Sequence, residues 1–145
     1  MTDLADFDLR NFMPYLLNQA ADATSREFET LYKSRYGMLR TEWRVLFHLG
    51  RYGAMSAKTI CNRARLHKTK VSRAVQALDD KRYLTRAQHP SDRRREILTL
   101  TRAGDTVYAN LSAEAQRFDA AMMAEFSDAE SAQIRQFLSR LAKLE

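Results

Sequence analysis

Two short stretches of the chain concentrate side chains that can bind a polyanion. In Lys68–Gln76, polar and basic residues are interleaved with apolar residues at helical spacing, and in Asp92–Arg95 three arginines follow an aspartate. Lysine and arginine bind phosphates, whereas arginine, glutamine, serine and threonine also hydrogen-bond base edges. The candidate nucleic-acid-binding residues are Lys68, Thr69, Lys70, Ser72, Arg73, Gln76, Arg86, Asp92, Arg93, Arg94 and Arg95.

Positive charge is concentrated in the same third of the chain. Residues 58–102 carry 13 Lys or Arg and 4 Asp or Glu, a balance of +9, whereas the remaining residues balance to −3. Clustered positive charge favours a polyanionic partner, because phosphates neutralised by a protein release condensed counterions. A solvated basic face has the same composition, so charge alone leaves both interpretations open.

Length and composition narrow the class of protein. The chain has 145 residues, which is the size of a single domain, and its 4 Gly and 2 Pro favour helices. No apolar stretch approaches the roughly 18 residues of a membrane span, and the acidic start MTDLADFDLR lacks a signal-peptide core. One cysteine, Cys61, cannot form an internal disulfide. We therefore expect a cytoplasmic protein without a membrane partner.

Apolar periodicity predicts four helices in the first half of the chain. Pro14 suits the first turn of the first helix and Gly37 its end, and Ser56 is a good N-cap for the third. The predicted helices span about residues 13–36, 41–51, 57–64 and 68–81.

The second half is predicted to contain two short strands and two helices. Strands at 83–87 and 97–100 flank a polar stretch, 88–96, which is predicted to be a loop. A long helix follows at about 103–126. Ser127–Glu130 has the spacing of a capping box that opens a final helix with apolar residues up to Leu144.

The order of two short helices, a strand, a basic loop and a strand predicts a winged helix-turn-helix within a mostly α (α+β) fold. In that motif the second helix lies in a DNA major groove, and arginines of the hairpin loop, the wing, enter a narrow minor groove. Cys61 occupies the place of a small buried residue between the two helices. Asp92 is predicted to pair with Arg94 and to orient it; an exposed basic loop without function is the alternative.

Three segments resemble the MarR (multiple antibiotic resistance regulator) family of transcription factors. They are Trp43–Leu46, Lys68–Arg73 and Asp92–Gly104. The last is similar to the family's wing signature, an Asp-x-Arg followed by alternating apolar residues and Leu-Thr-x-x-Gly. The order and lengths of the elements match over nearly the whole chain.

The resemblance implies a homodimer whose first and last helices intertwine. Residues 1–36 and 104–145 would form the dimerisation part of the domain and residues 38–103 the DNA-binding part. The recognition helices would enter major grooves of a pseudopalindromic operator on double-stranded DNA, with wing arginines in flanking minor grooves. The favoured function is a repressor released by a small aromatic or lipophilic effector. A ligand-independent binder, an activator, and a basic protein-interaction or membrane-surface module remain alternatives.

Three positions depart from the residues that the family usually carries. Arg65 stands where the turn of the motif usually has glycine, Arg82 where glycine usually follows the recognition helix, and Ala74 where leucine is usual. A left-handed backbone at Arg65 would cost more than at glycine, because the Cβ atom crowds the following carbonyl.

Several other side chains could have a functional role, but a purely structural role is also possible for each. Tyr15, Trp43, Phe47 and His48 are candidates for an apolar ligand pocket, although helically spaced aromatics also build cores. Inert packing is favoured over a redox role for Cys61. No histidine has metal-ligand spacing, and no phosphate-binding Gly loop or nucleophile elbow is present, so no metal, cofactor or enzyme activity is expected.

Overall fold

The computed structural model describes residues 6–144, apart from the side chain of Arg93. The elements follow the order of a winged helix-turn-helix and confirm the mostly α fold, with one antiparallel strand pair between the fourth and fifth helices. They are α1 (Met13–Tyr36), α2 (Arg40–Tyr52), α3 (Ala57–Ala64), α4 (Lys68–Asp80), β1 (Leu84–His89), β2 (Asp92–Leu100), α5 (Arg102–Met123) and α6 (Asp128–Ala142). No helix within 6–144 combines the length and apolar character that crossing a membrane requires.

These elements divide into two compact units, one within residues 1–108 and one within 109–145. The first unit holds α1 to α4, the hairpin of β1 and β2, and the start of α5. The second holds the rest of α5 and α6.

Local sequence signals determine where the helices of the first unit begin and end. Pro14 lies in the first turn of α1, and Gly37 ends that helix in the left-handed region at φ 62°. The Ser56 hydroxyl accepts a hydrogen bond from the Thr59 backbone N–H at 3.2 Å and so caps α3. The predicted starts and ends of α1 and α3 are confirmed for this reason.

The second unit contains the predicted capping box. Ser127 Oγ accepts from the Glu130 N–H, and Glu130 Oε1 accepts from the Ser127 N–H, both at 3.1 Å. The bond from the Ser127 backbone N–H stabilises the Glu130 carboxylate and so lowers its pKa, and the Ser127 side chain adds to this effect. The fifth helix ends at Met123 instead of the predicted residue 126, and a turn leads into the cap.

The core of the first unit forms around one face of α4. Val71, Ala74, Val75 and Leu78 are all buried there. Because they recur every three or four residues, the remaining positions of α4 point to solvent. The elements α2, α3 and β1 contact this helix and contribute the buried residues Leu46, Leu49, Ile60 and Leu84.

Predicting a loop at residues 88–96 was wrong, because the two strands continue almost to the tip. The first strand runs to His89 and the second begins at Asp92, so the hairpin turns at residues 90–91. The side chains of Asp92, Arg94, Arg95 and Glu96 are exposed. With no buried face at this end, the strands lack the apolar alternation by which a strand is predicted from sequence.

The Leu-Thr-x-x-Gly segment fastens the hairpin to α5. Thr101 Oγ1 accepts from the Gly104 N–H at 3.1 Å and donates to the Arg82 carbonyl at 2.7 Å. A Cβ atom at Gly104 would collide with the carbonyl oxygen of Tyr83, so this close approach requires glycine.

Two of the three departures from the family pattern lie in left-handed backbone. Arg65 has φ 54° and Arg82 has φ 62°, so both adopt the conformation that glycine adopts more readily. The left-handed backbone considered at Arg65 is thus present, and Arg82 adopts it as well. Ala74, the third departure, is buried in the core of α4.

Candidate nucleic-acid interface

The outer face of α4 carries the first group of predicted contact residues. All six side chains on this face are exposed, on the side opposite the buried Val71 and Leu78. His67 precedes the helix, and its Nδ1 accepts from the Thr69 N–H at 3.1 Å, which caps the N-terminus. The exposed residues are Lys68, Thr69, Lys70, Ser72, Arg73 and Gln76.

The hairpin carries the second group, at the start of β2. Asp92, Arg94 and Arg95 are exposed. Arg93 lies in the same strand, but its side chain is outside the described part of the structure.

The predicted side-chain pair of Asp92 with Arg94 is wrong in its atoms. Asp92 Oδ1 accepts from the backbone N–H of Arg94 at 3.0 Å, and among the described side chains Asp92 forms no ion pair with that guanidinium. The reason is geometric, since a carboxylate two residues before an N–H reaches it readily in a turn. Asp92 therefore orients the backbone at the hairpin tip and leaves the Arg94 side chain free to extend.

The remaining predicted contact residue, Arg86, is bonded to Gln76 of the first group. The Arg86 Nη1 donates to Gln76 Oε1 at 3.2 Å, which joins β1 to α4. Both groups therefore have a partner within the protein before any nucleic acid binds.

A cleft of about 510 Å³ lies between α3, α4 and the hairpin. Cys61 is half-buried and lines this cleft, which corrects its predicted place as a small buried residue. The partial exposure follows from the cleft itself, because Cys61 lines it. The other lining residues are Ala57, Lys58, Lys68, Ser72, Val75, Arg86 and Glu96.

A buried carboxylate that the sequence analysis missed holds α4 from its other side. Glu42 is 4% exposed, accepts from the Leu39 N–H at the start of α2, and pairs with Lys81 Nζ at 3.4 Å just after α4. Its position at the third residue of α2 is the signal that was available, because glutamate there caps a helix N-terminus. The pair connects the start of α2 to the end of α4.

Three of the four candidate pocket residues lie together. The rings of Trp43 and Phe47 have centroids 5.8 Å apart, and His48 contacts Phe47 edge-on at 5.7 Å. The His48 Nδ1 lies 2.6 Å from the Arg44 carbonyl, to which it donates. Tyr15 is half-buried on α1, and no ring contact within residues 6–144 includes it.

A buried tyrosine adjoins this aromatic cluster. Tyr32 is 1% exposed and stacks on Trp43 with centroids 6.2 Å apart. Burial raises its pKa, and the Glu29 carboxylate adds to the effect, whereas Arg40 and Arg44 oppose it.

The geometry of this surface supports nucleic-acid binding. No group of three or more His, Cys, Asp or Glu in the described residues is placed to hold a metal ion. The exposed side of α4 is polar and basic, and the adjacent hairpin ends in arginines. A helix with such a face, supported by a second helix and flanked by a basic hairpin, is the DNA-binding surface of winged helix-turn-helix proteins.

Proteins that are similar to this chain include transcriptional regulators. A model of the MarR family matches residues 36–95. The uncharacterised HTH-type transcriptional regulator YwoH of Bacillus subtilis is 25% identical over 93 residues, which cover 64% of this chain and 67% of that protein.

Solved structures extend the likeness to nearly the whole chain. A MarR/EmrR family transcriptional regulator from Acinetobacter sp. ADP1 is 27% identical with a TM-score of 0.84, over 94% of this chain and 96% of that chain. BpsR of Bordetella bronchiseptica is 19% identical with a TM-score of 0.86, over 96% and 99%. The central part of the chain thus matches the MarR family, and the fold is that of MarR-family transcriptional regulators, in agreement with the resemblance.

We predict that Asp92→Ala weakens duplex binding although it removes a negative charge from the surface. The substitution removes the acceptor of the Arg94 N–H, so the hairpin tip loses its fixed direction. Asp92→Asn is the matched control, because its side-chain oxygen still accepts that bond while the charge is lost; it should bind at least as tightly as the wild type. Fluorescence anisotropy at fixed salt measures both. Tighter binding by the alanine variant would mean that Asp92 only repels phosphate.

Proposed function

We propose that the protein is a homodimeric repressor that binds a pseudopalindromic operator and leaves it when a small effector binds. The observation that carries this proposal is the exposed polar and basic face of α4 beside the arginine hairpin. Residues 38–103 form the DNA-binding part in this proposal, and residues 1–36 and 104–145 the dimerisation part.

On DNA, α4 lies in the major groove and the hairpin reaches the adjacent minor groove. Helix-turn-helix proteins read base edges with the first turns of the recognition helix. The residues there are Thr69, Lys70, Ser72, Arg73 and Gln76. Arg94 enters the narrow groove where the negative potential is deepest, with Arg93 and Arg95 nearer the backbone.

Exposed apolar surface in both units supports the dimer. Large apolar side chains are left exposed before and at the start of α1, and again on α6. Leu4, which belongs to the same apolar N-terminal sequence, lies outside the described residues. Contiguous exposed apolar surface marks an interface, and obligate dimers bury about 2,000 Å² or more. The exposed residues are Phe7, Leu9, Phe12, Met13, Leu16, Phe137, Leu138, Leu141 and Leu144.

We predict that the protein has no stable folded monomer, so Phe137→Asp with Leu141→Asp gives aggregated or unfolded protein. These side chains are 55% and 56% exposed in the single chain, and charge there prevents burial by a second copy. Sedimentation velocity and circular dichroism measure the outcome. Gln136→Asp with Ser139→Asp adds the same charge at exposed positions of α6 and should leave the dimer intact. A well-folded monomer from the first pair would contradict the prediction that the protein has no stable folded monomer.

The operator is to be found by footprinting the purified protein on the DNA that flanks its own gene. In a twofold dimer we expect two half-sites whose centres lie about 10 bp apart, one helical turn. Protection without sequence preference would favour the alternative of a general basic module.

We predict that Arg73→Ala removes sequence preference. A bidentate contact of arginine with guanine contributes about 1–3 kcal/mol of discrimination against the wrong base. A twofold dimer forms this contact in both half-sites. Titration of the mapped operator and a random duplex at one salt concentration should therefore show a loss confined mainly to the operator. Arg51→Ala removes an exposed positive charge from α2 and serves as the control. Equal losses on both duplexes would make Arg73 a phosphate contact.

The effector in this proposal is a small aromatic or lipophilic compound that binds beside Tyr15, Trp43, Phe47 and His48. The continuous ring contacts of Trp43, Phe47 and His48 support an aromatic site. BpsR, which shares the fold, is a protein whose DNA binding is regulated by 6-hydroxynicotinic acid. Loss of operator binding on adding a compound, with Trp43 fluorescence changing over the same concentration range, tests this part.

A further inference from the structure

Four polar side chains form a continuous chain of hydrogen bonds from α4 to the hairpin. Gln76 Nε2 donates to Asp80 Oδ1 at 2.9 Å, and Gln76 Oε1 accepts from Arg86 Nη1 at 3.2 Å. Arg86 Nε and Nη2 both donate to Glu96 Oε2, at 3.2 and 2.8 Å. Three of the five guanidinium N–H donors of Arg86 are thus directed at partners within the protein.

The pairing register of β1 and β2 places Arg86 close to Glu96. Arg86 pairs with Leu98, which is fully buried, and Glu96 lies two residues before Leu98 on the same face of β2. Arg86 and Glu96 are therefore diagonal neighbours across the two strands, within reach of long side chains. Both line the cleft beside α4.

This arginine differs in its surroundings from the basic residues of the outer face of α4. Lys68, Lys70 and Arg73 are exposed, and no ion pair among the described residues includes them. The side chain of Arg86 is 31% exposed and the residue is likewise exposed, but its charge is balanced by Glu96. A balanced guanidinium releases few counterions from DNA, so it adds little to sequence-independent binding.

We propose that Glu96 limits sequence-independent DNA binding, because it holds Arg86 against Gln76 and withholds that positive charge from phosphates. Glu96 acts here as a positioning residue through Arg86. The proposal rests on the proposed function, since it concerns the DNA-binding surface. The sequence analysis predicted that Arg86 contacts DNA directly. In this proposal, Arg86 contacts DNA only when Glu96 is neutralised.

The experiment is a double-mutant cycle on a random duplex, measured over a range of salt concentrations. The four proteins are the wild type, Glu96→Gln, Arg86→Gln and the double variant. Glu96→Gln should bind about two- to fivefold more tightly, the size of an exposed ion pair. Its plot of log affinity against log salt should steepen by about 0.9 for each Arg86 that gains a phosphate. In the Arg86→Gln background, Glu96→Gln should change the affinity and the salt slope only by the small amount expected from removing one negative charge.

Two results would overturn the proposal. An equal gain with and without Arg86 would mean that Glu96 only repels phosphates through its own charge. Unchanged or weaker binding by Glu96→Gln would mean that Arg86 does not reach DNA when it is released. Both results leave the proposed function intact, whereas a wild type that binds no duplex, even at low salt, would remove the proposed function and this inference together.

Discussion

The burial of one face of α4 against α2 and α3 determines which side chains the protein presents to DNA. Val71, Ala74, Val75 and Leu78 are at most 3% exposed, and their spacing leaves the polar side of the helix outward. A large-to-small change in such a core costs about 2–5 kcal/mol, a large part of the stability of an ordinary domain. The rotation of α4 about its axis, and hence the identity of its outer face, is set by these contacts.

The hairpin depends on the same core for its position. Leu98 is fully buried and exchanges two backbone hydrogen bonds with Met55, between α2 and α3, at 2.9 and 3.1 Å. From this anchor the strands run outward to a tip without a buried face. Arg94 and Arg95, near the tip, are exposed, whereas Arg86, nearer the core, is paired with Glu96. The side chains far from the Leu98 anchor are therefore available to bind phosphates, whereas Arg86, closer to it, is bonded within the protein.

Much of the helical fold could be predicted from the sequence because its signals are local. The ends of α1 follow from Pro14 and Gly37, and the start of α6 follows from the reciprocal cap of Ser127 and Glu130. The exposed face of α4 followed from apolar periodicity alone. The strands at the hairpin tip were missed since neither face is buried there, which leaves no alternation to detect.

The contacts between distant residues of the candidate site depend on tertiary structure, and no local sequence signal predicts them. Residues 76, 86 and 96 lie ten positions apart in sequence, and only the strand register and the packing of β1 beside α4 bring them together. The same holds for the pair of Glu42 with Lys81 and for the half-open position of Cys61. In the sequence Arg86 looks like any other basic residue of this segment. In the structure it differs from them because it is bonded to Glu96 and Gln76.

The central claim is that the outer face of α4 and the arginine hairpin together form the DNA-binding surface. Backbone amide chemical shifts of the isotopically labelled protein, recorded as duplex DNA is added, test it most directly. The account predicts the largest changes at residues 68–76 and 92–95, and much smaller ones along the exposed side of α6. Changes centred outside α4 and the hairpin, or spread evenly over the basic surface, would contradict it.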